Sequence, residues 1–185
     1  MSSGRLRIIG GCWRGRRLAF PAVAGLRPTP DRVRETLFNW LAATLPGARC
    51  LDLYAGSGAL GLEALSRGAA AVTFVEKTGV AARALARHLQ ELGAEEAGRV
   101  VRADVLAFLR RPAEPYDIVF LDPPYGRGLV APTCAALEEG GWLAPGAWIY
   151  LERREDDPEP AVPDTWHPHR QTRAGQVRAH LYRRP

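Results

Sequence analysis

The chain has 185 residues, 46% of them hydrophobic, which predicts one domain with a core large enough to fold alone. No run of about 18 apolar residues occurs, and no apolar signal core follows Met1-Ser2-Ser3-Gly4-Arg5; neither a membrane span nor an export signal is expected, and the expected location is cytoplasmic. The formal net charge is +5, and it is concentrated at one end: residues 1–35 hold Arg5, Arg7, Arg14, Arg16, Arg17, Arg27, Arg32 and Arg34 against only Asp31 and Glu35. The rest of the chain is therefore close to neutral, and the local basic excess is of the kind that a phosphate backbone attracts.

Residues 1–28 are basic and Gly-rich, and they predict a small arm: strands over Arg5–Ile9 and Leu18–Phe20 about a Gly10-Gly11 turn. Thr29-Pro30-Asp31 reads as a helix start, followed by Val33, Leu37, Phe38 and Leu41 on one apolar face, with Pro46-Gly47 ending the helix. From residue 49, strand and helix alternate. Strands are expected at Cys50–Tyr54, Ala71–Glu76, Arg99–Arg102, Tyr116–Leu121 and Trp148–Glu152, and helices at Ala59–Arg67, Val80–Leu92, Val105–Arg110 and Leu129–Glu139. Near-continuous apolar strands joined by helices imply an α/β fold whose parallel sheet is covered on both faces. Residues 156–163 are acidic and proline-rich, a loop. Thr165–Thr172 and Gln176–Arg183 then predict an antiparallel pair, an ending that suits class I methyltransferase folds rather than simple dinucleotide folds. The domain reading is an arm over 1–28 and an α/β domain over 29–185. Cys12, Cys50 and Cys134 form no CxxC pair and stand at no metal-ligand spacing from a histidine, so three free thiols and no metal are expected.

The segment Asp52-Leu53-Tyr54-Ala55-Gly56-Ser57-Gly58-Ala59-Leu60-Gly61 places a GxGxxG turn between a strand and a helix, with Glu76 at the end of the next strand. That is a fingerprint for a nucleotide-like ligand. Glu76 suits two ribose hydroxyls. Asp52, four residues before Gly56, decides between ligands: a dianionic pyrophosphate does not suit a neighbouring carboxylate, whereas S-adenosylmethionine carries a sulfonium and an ammonium and no phosphate. Asp104, after the third strand, is placed to hold an adenine amine and serves equally well as the cap of the following helix. Asp52, Glu76 and Asp104 would form an acidic strip on the carboxyl edge of the sheet, with Ala55, Gly56 and Gly58 completing the cofactor site.

Asp122-Pro123-Pro124-Tyr125 follows a buried strand on the same edge. An exocyclic base amine is a poor nucleophile because its lone pair is delocalised into the ring. The Asp122 carboxylate and the Pro123 carbonyl can each accept one N–H, turning the lone pair toward a methyl donor, and the prolines hold both acceptors rigid. Tyr125 can stack on the base. A base within folded RNA must leave its stack to reach such a pocket.

With these residues in view, the chain resembles the bacterial 16S ribosomal RNA guanine-N2 methyltransferase family. The match runs from about Arg5 to Arg183. It includes Arg7-Ile8-Ile9-Gly10-Gly11, Trp13-Arg14-Gly15-Arg16, Leu26-Arg27-Pro28-Thr29, the block Asp31 to Trp40, Ala55 to Ala64, and Asp122 to Tyr125. The resemblance implies the seven-stranded class I methyltransferase fold, S-adenosyl-L-methionine as cofactor, and 16S rRNA as partner within an assembled or partly assembled small subunit. It also implies that the basic arm lies on RNA, through Arg7, Arg14, Arg16, Arg17, Arg27, Arg32 and Arg34, positioning phosphates rather than reading bases. Residues 153–164 and Lys77-Thr78 match no pattern of that family. A DNA adenine-N6 methyltransferase also uses DPPY but ordinarily carries an added target-recognition domain. A nicotinamide oxidoreductase shares GxGxxG but not Asp52 or DPPY. A non-catalytic RNA-binding protein has no need of an intact Asp122 and Tyr125.

Overall fold

A computed structural model of the chain describes residues 4–23 and 29–185. The chain begins with a two-stranded hairpin, β1 (Gly4–Arg7) and β2 (Arg17–Phe20), followed by helix α1 (Asp31–Trp40). Alternation then sets in with β3 (Arg49–Leu53), α2 (Ala59–Ser66), β4 (Ala71–Glu76), α3 (Gly79–Glu91), β5 (Gly98–Arg102), α4 (Val105–Phe108), β6 (Tyr116–Leu121), α5 (Val130–Glu139) and β7 (Leu143–Arg154). The antiparallel pair β8 (His167–Ala174) and β9 (Val177–Arg183) closes the chain. Seven strands form one mixed sheet in the order β5-β4-β3-β6-β7-β9-β8. Strands β5 to β7 run parallel, and β9 enters antiparallel beside β7.

Both faces of the sheet are apolar, so both must be covered. Cys50, Val72, Phe74, Ile118, Phe120 and Tyr150 point to one face, where α1, α2, α3 and the hairpin pack; Leu51, Val75, Val119, Leu121, Ile149 and Leu151 point to the other, under α4 and α5. β7 starts five residues earlier than the apolar run Trp148–Glu152 predicts, and a break in its register with β6 falls between Tyr116 and Ile118. Residues 156–163 form a loop strapped down by Arg153, which is 4% exposed and donates to the Asp157 carbonyl at 2.6 Å and to Glu159 at 2.5 Å. Among the described residues, no helix is long and apolar enough to cross a membrane.

The basic arm is a packed hairpin. Leu6, Ile8, Leu18 and Phe20 are buried in the same core cluster as α1, α2 and α3. Strand β1 stops at Arg7 instead of running to Ile9: the Ile8 N–H still reaches across the hairpin to the Arg16 carbonyl at 2.9 Å, but the two amides after it are spent elsewhere. Ile9 and Gly10 N–H donate to the Glu63 carboxylate of α2 at 3.0 and 2.7 Å. The turn therefore spans a longer loop than Gly10-Gly11. Gly11 lies against the end of α2 at φ 78°, where a Cβ would sit 1.9 Å from the Ser66 carbonyl oxygen, so only glycine fits. Glu63 is fully buried and also meets Arg34 at 3.4 Å and Arg67 at 2.9 Å. Removing one partner of a buried ion pair strands the other charge. Glu63→Ala is therefore expected to destabilise the protein by about 3–5 kcal/mol in chemical denaturation. A loss well under about 1 kcal/mol would mean that the hairpin is not anchored there.

Candidate active site

The glycine turn grows out of β3. Tyr54 takes the left-handed conformation, φ 58°, which is rare for a residue with a Cβ and costs about 1–3 kcal/mol. Its hydroxyl is held 2.7 Å from the Thr133 hydroxyl of α5. Gly56 and Gly58 follow at φ 56° and 76°, and Ala55 N–H reaches across to the Val75 carbonyl at 3.0 Å. Glu76 ends β4 and grips the turn, accepting from Gly56 N–H at 2.8 Å and Thr78 N–H at 2.7 Å. The third glycine, Gly61, is required by packing: a Cβ there would lie 2.2 Å from the Phe74 ring. Its N–H donates to Asp52 at 2.9 Å, fastening the start of α2 to β3.

The register of the sheet turns these contacts into a site. Asp52 pairs with Phe74 on one side and Phe120 on the other, and Phe120 pairs with Tyr150. Side chains opposite one another in a parallel sheet share a face, and every second residue returns to it. Asp52, Glu76, Asp122 and Glu152 therefore line one face at the carboxyl ends of four adjacent strands. Asp52, Glu76 and Glu152 are at most 8% exposed. Burial pushes the Asp52 carboxyl up to about 8, with the neighbouring Glu76 charge adding to the effect and the Gly61 N–H opposing it. Burial likewise holds Asp122 well above the usual carboxylate range, reinforced by the charges of Glu152 and Asp52. Among the described residues no arginine or lysine forms an ion pair with any of the four. Such a row suits a ligand that brings its own positive charge, as S-adenosylmethionine does at its sulfonium and ammonium.

Asp104 stands outside that row. It caps α4, accepting from Ala107 N–H at 3.1 Å through Oδ1, while Oδ2 lies 3.7 Å from the Lys77 ammonium. Its side chain is half exposed. Beyond Asp52 the acidic row continues to Asp122 after β6 and Glu152 on β7.

On β6, Asp122 follows the buried run Tyr116–Leu121 directly. Among the described residues, neither the Asp122 carboxylate nor the Pro123 carbonyl is taken up by a hydrogen bond from the protein, so both acceptors of the DPPY segment remain available. Tyr125 is 38% exposed while its hydroxyl donates to Glu152 Oε1 at 3.3 Å. Glu152 is a residue that the motif analysis missed. It also accepts from Thr29 at 2.6 Å and Tyr150 at 3.0 Å, both through Oε2. The signal was available: a carboxylate closing an apolar strand is costly unless it has a task.

The arginines of the N-terminal region divide into two sets. Arg14, Arg16, Arg17 and Arg32 are exposed, with no carboxylate partner among the described residues. Arg7 is exposed but pairs with Asp31 at 3.0 Å, and Arg27 lies outside the described residues. Arg34 corrects the expectation that it meets RNA. It is 1% exposed and spends its guanidinium on Asp31 at 2.6 Å, Glu63 at 3.4 Å and the Arg7 carbonyl at 3.0 Å. Its place on the apolar side of α1, beside Val33 and Leu37, turns it inward.

Strand order, glycine turn and the DPPY rim together define a class I S-adenosylmethionine-dependent methyltransferase. A Salinibacter ruber RNA methyltransferase solved with S-adenosyl-L-homocysteine shares this fold at a TM-score of 0.66 and 16% identity, covering 86% of this chain and 94% of that one. The family can be named more closely. Residues 6–183 match the model described as Conserved hypothetical protein 95, and the chain belongs to that family. Ribosomal RNA small subunit methyltransferase D of Escherichia coli strain K12 is 52% identical over 182 residues, 98% of this chain and 91% of that protein. The Haemophilus influenzae protein of the same name is 44% identical, covering 98% and 95%. A solved structure of the Escherichia coli protein yhhF superposes with a TM-score of 0.91 at 49% identity over 98% of both chains. Family membership removes the nicotinamide oxidoreductase and the DNA adenine-N6 readings.

Binding a cation beside a carboxyl that titrates at about 8 releases a proton. Affinity for S-adenosylmethionine is therefore expected to rise with pH from 6 to 8, by at most about tenfold per unit, and then to level off. The same raised value makes the ligand-free protein lose stability as pH climbs from the ordinary carboxylate range through about 8. Asp52→Asn keeps an acceptor for Gly61 N–H and removes the charge. It should weaken binding about tenfold at pH 8 and flatten the slope, as read by calorimetry. A wild-type affinity independent of pH would contradict the assignment.

Proposed function

We propose that this protein transfers a methyl group from S-adenosyl-L-methionine to the exocyclic N2 amine of one guanine in 16S rRNA, acting in the cytoplasm on a small subunit or its assembly intermediate. The observation that carries the reading is the pair of uncommitted acceptors, the Asp122 carboxylate and the Pro123 carbonyl, standing in the carboxylate row between Asp52 and Glu152. The relatives named for small-subunit ribosomal RNA methylation support the substrate class. When bound, S-adenosylmethionine supplies an electrophilic methyl carbon on a sulfonium.

The protein's own part is binding, orientation and the handling of one proton. Asp52 and the backbone of the Ala55–Gly58 turn receive the charged methionine end. Glu76, whose oxygens already hold Gly56 and Thr78, has lone pairs left for ribose hydroxyls, and Asp104 Oδ2, which the exposed Lys77 ammonium faces at 3.7 Å, can accept from an adenine amine. Asp122 and Pro123 each accept one N–H of the target amine. That turns the nitrogen lone pair out of conjugation and toward the methyl carbon, a gain from fixed geometry and fixed dipoles rather than from covalent chemistry. As the N–C bond forms and the C–S bond breaks, one N–H proton must leave. Asp122 is placed to take it, because its surroundings favour the protonated carboxyl. The exposed Tyr125 offers its ring as a stacking face for a base drawn out of its helix. Arg14, Arg16, Arg17 and Arg32 hold phosphates of the surrounding RNA, with Arg7 beside them.

Incubation with labelled S-adenosylmethionine and, in parallel, small-subunit particles, naked 16S rRNA and unmethylated DNA tests the reading. Label is expected in guanine of the RNA; label in DNA alone defeats it. Asp122→Ala should lower turnover at least about 1000-fold while cofactor affinity stays within a few-fold. A near-normal rate would remove the amine-orienting role. Neutralising Arg14, Arg16 and Arg17 together should weaken RNA binding and reduce the slope of log affinity against log salt by about 2 to 3. An unchanged slope would mean that the hairpin does not touch phosphates.

A further inference from the structure

The DPPY segment explains how an amine is oriented but not how guanine is told from adenine, since both bases carry an exocyclic amine. Their Watson–Crick edges differ beside it. Guanine presents a ring N1–H donor next to its amine, whereas adenine presents a bare N1 acceptor. A site selective for guanine needs a second acceptor, next to Asp122 and fixed in place.

Glu152 meets that description. Leu121 and Leu151 are the last in-register pair of β6 and β7, so Asp122 and Glu152 come next, on neighbouring strands about 4.8 Å apart and on the same face. The influence of the Glu152 charge on Asp122 shows the same proximity. The two Glu152 oxygens are unequally engaged. Oε2 holds two hydroxyls, Thr29 at 2.6 Å and Tyr150 at 3.0 Å, which set the carboxylate plane. Among the described residues Oε1 has only the Tyr125 hydroxyl at 3.3 Å, long for an O–H···O bond, whose usual length is about 2.7–2.8 Å. Among the described residues no cation pairs with it. It is the weakly committed acceptor on the DPPY side, covered by a residue that is already 38% exposed.

We propose that Glu152 Oε1 accepts the N1–H of the target guanine, displacing the long Tyr125 bond, and so makes this site specific for guanine rather than adenine. The inference rests on the guanine-N2 reading given above. A carboxylate facing N1 rewards a donor and repels an acceptor lone pair, so it supplies attraction for one base and rejection of the other at once. Thr29 and Tyr150 act as positioning residues, because they hold Oε2 and leave Oε1 aimed at the base.

2-Aminopurine separates this role from a structural one, since it keeps the exocyclic amine and replaces N1–H by an N1 acceptor. Once the labelled nucleotide has been mapped, particles are reconstituted with guanine or 2-aminopurine at that position, and kcat/KM is measured for each. The wild-type enzyme is expected to favour guanine by about 100-fold. In Glu152→Gln the carboxamide can donate to N1, and the preference should fall to within about fivefold, mainly through loss of the guanine rate. Tyr125→Phe, which uncovers Oε1 without changing it, should keep the preference. A wild-type preference near unity overturns the proposal without any variant. So does a Glu152→Gln preference equal to wild type, or a Tyr125→Phe preference lost as fully as that of Glu152→Gln, which would make Glu152 act through Tyr125. Absence of methylation on guanine particles would instead overturn the underlying guanine-N2 reading.

Discussion

A row of carboxylates that no side-chain cation pairs with among the described residues is the constraint on which the remainder of this molecule depends. Asp52, Glu76, Asp122 and Glu152 sit at the ends of four neighbouring strands, three of them buried, and negative charges so arranged repel one another. The fold tolerates them because each of three has donors that bring no charge. Gly61 N–H serves Asp52, Gly56 and Thr78 N–H serve Glu76, and three hydroxyls serve Glu152. Among the described residues, only Asp122 is left with none. An arginine in their midst would relieve the repulsion and also abolish the site, because the charge that belongs there arrives with the cofactor.

Helix α2 is where the two halves of the function meet. Gly61 on its first turn takes Asp52, and Glu63, two residues on, takes the hairpin through Ile9 and Gly10. The surface that carries Arg14, Arg16 and Arg17 is therefore mounted rigidly on the element that begins at the glycine turn. Arginines on a loose tail would contribute charge alone. On this mount they also contribute register, which a protein needs when it must bring one nucleotide among many to a fixed pair of acceptors.

Much of this was legible in the residues. The alternation of apolar strands with helices, the antiparallel ending, the glycine turn and the DPPY rim are local patterns, and each is produced by spacing that the chain carries wherever it goes. What escaped was whatever depends on which strand lies beside which. Glu152 lies next to Asp122 only because β7 is inserted between β6 and β9. Arg34, one more arginine in a basic stretch, faces the core because a helical period of 3.6 brings it round beside Leu37 and opposite Glu63.

By itself the sequence determined the kinds of element, the chemistry available at their ends and the ligand that such chemistry admits, since these follow from residue type and short-range periodicity. Tertiary structure alone decided which carboxylates form one row, which arginines remain open to a phosphate and which oxygen is left free for a base. Those outcomes depend on strand order and on which face a side chain takes. Both are settled by packing apolar surfaces that lie far apart along the chain, so no local reading contains them.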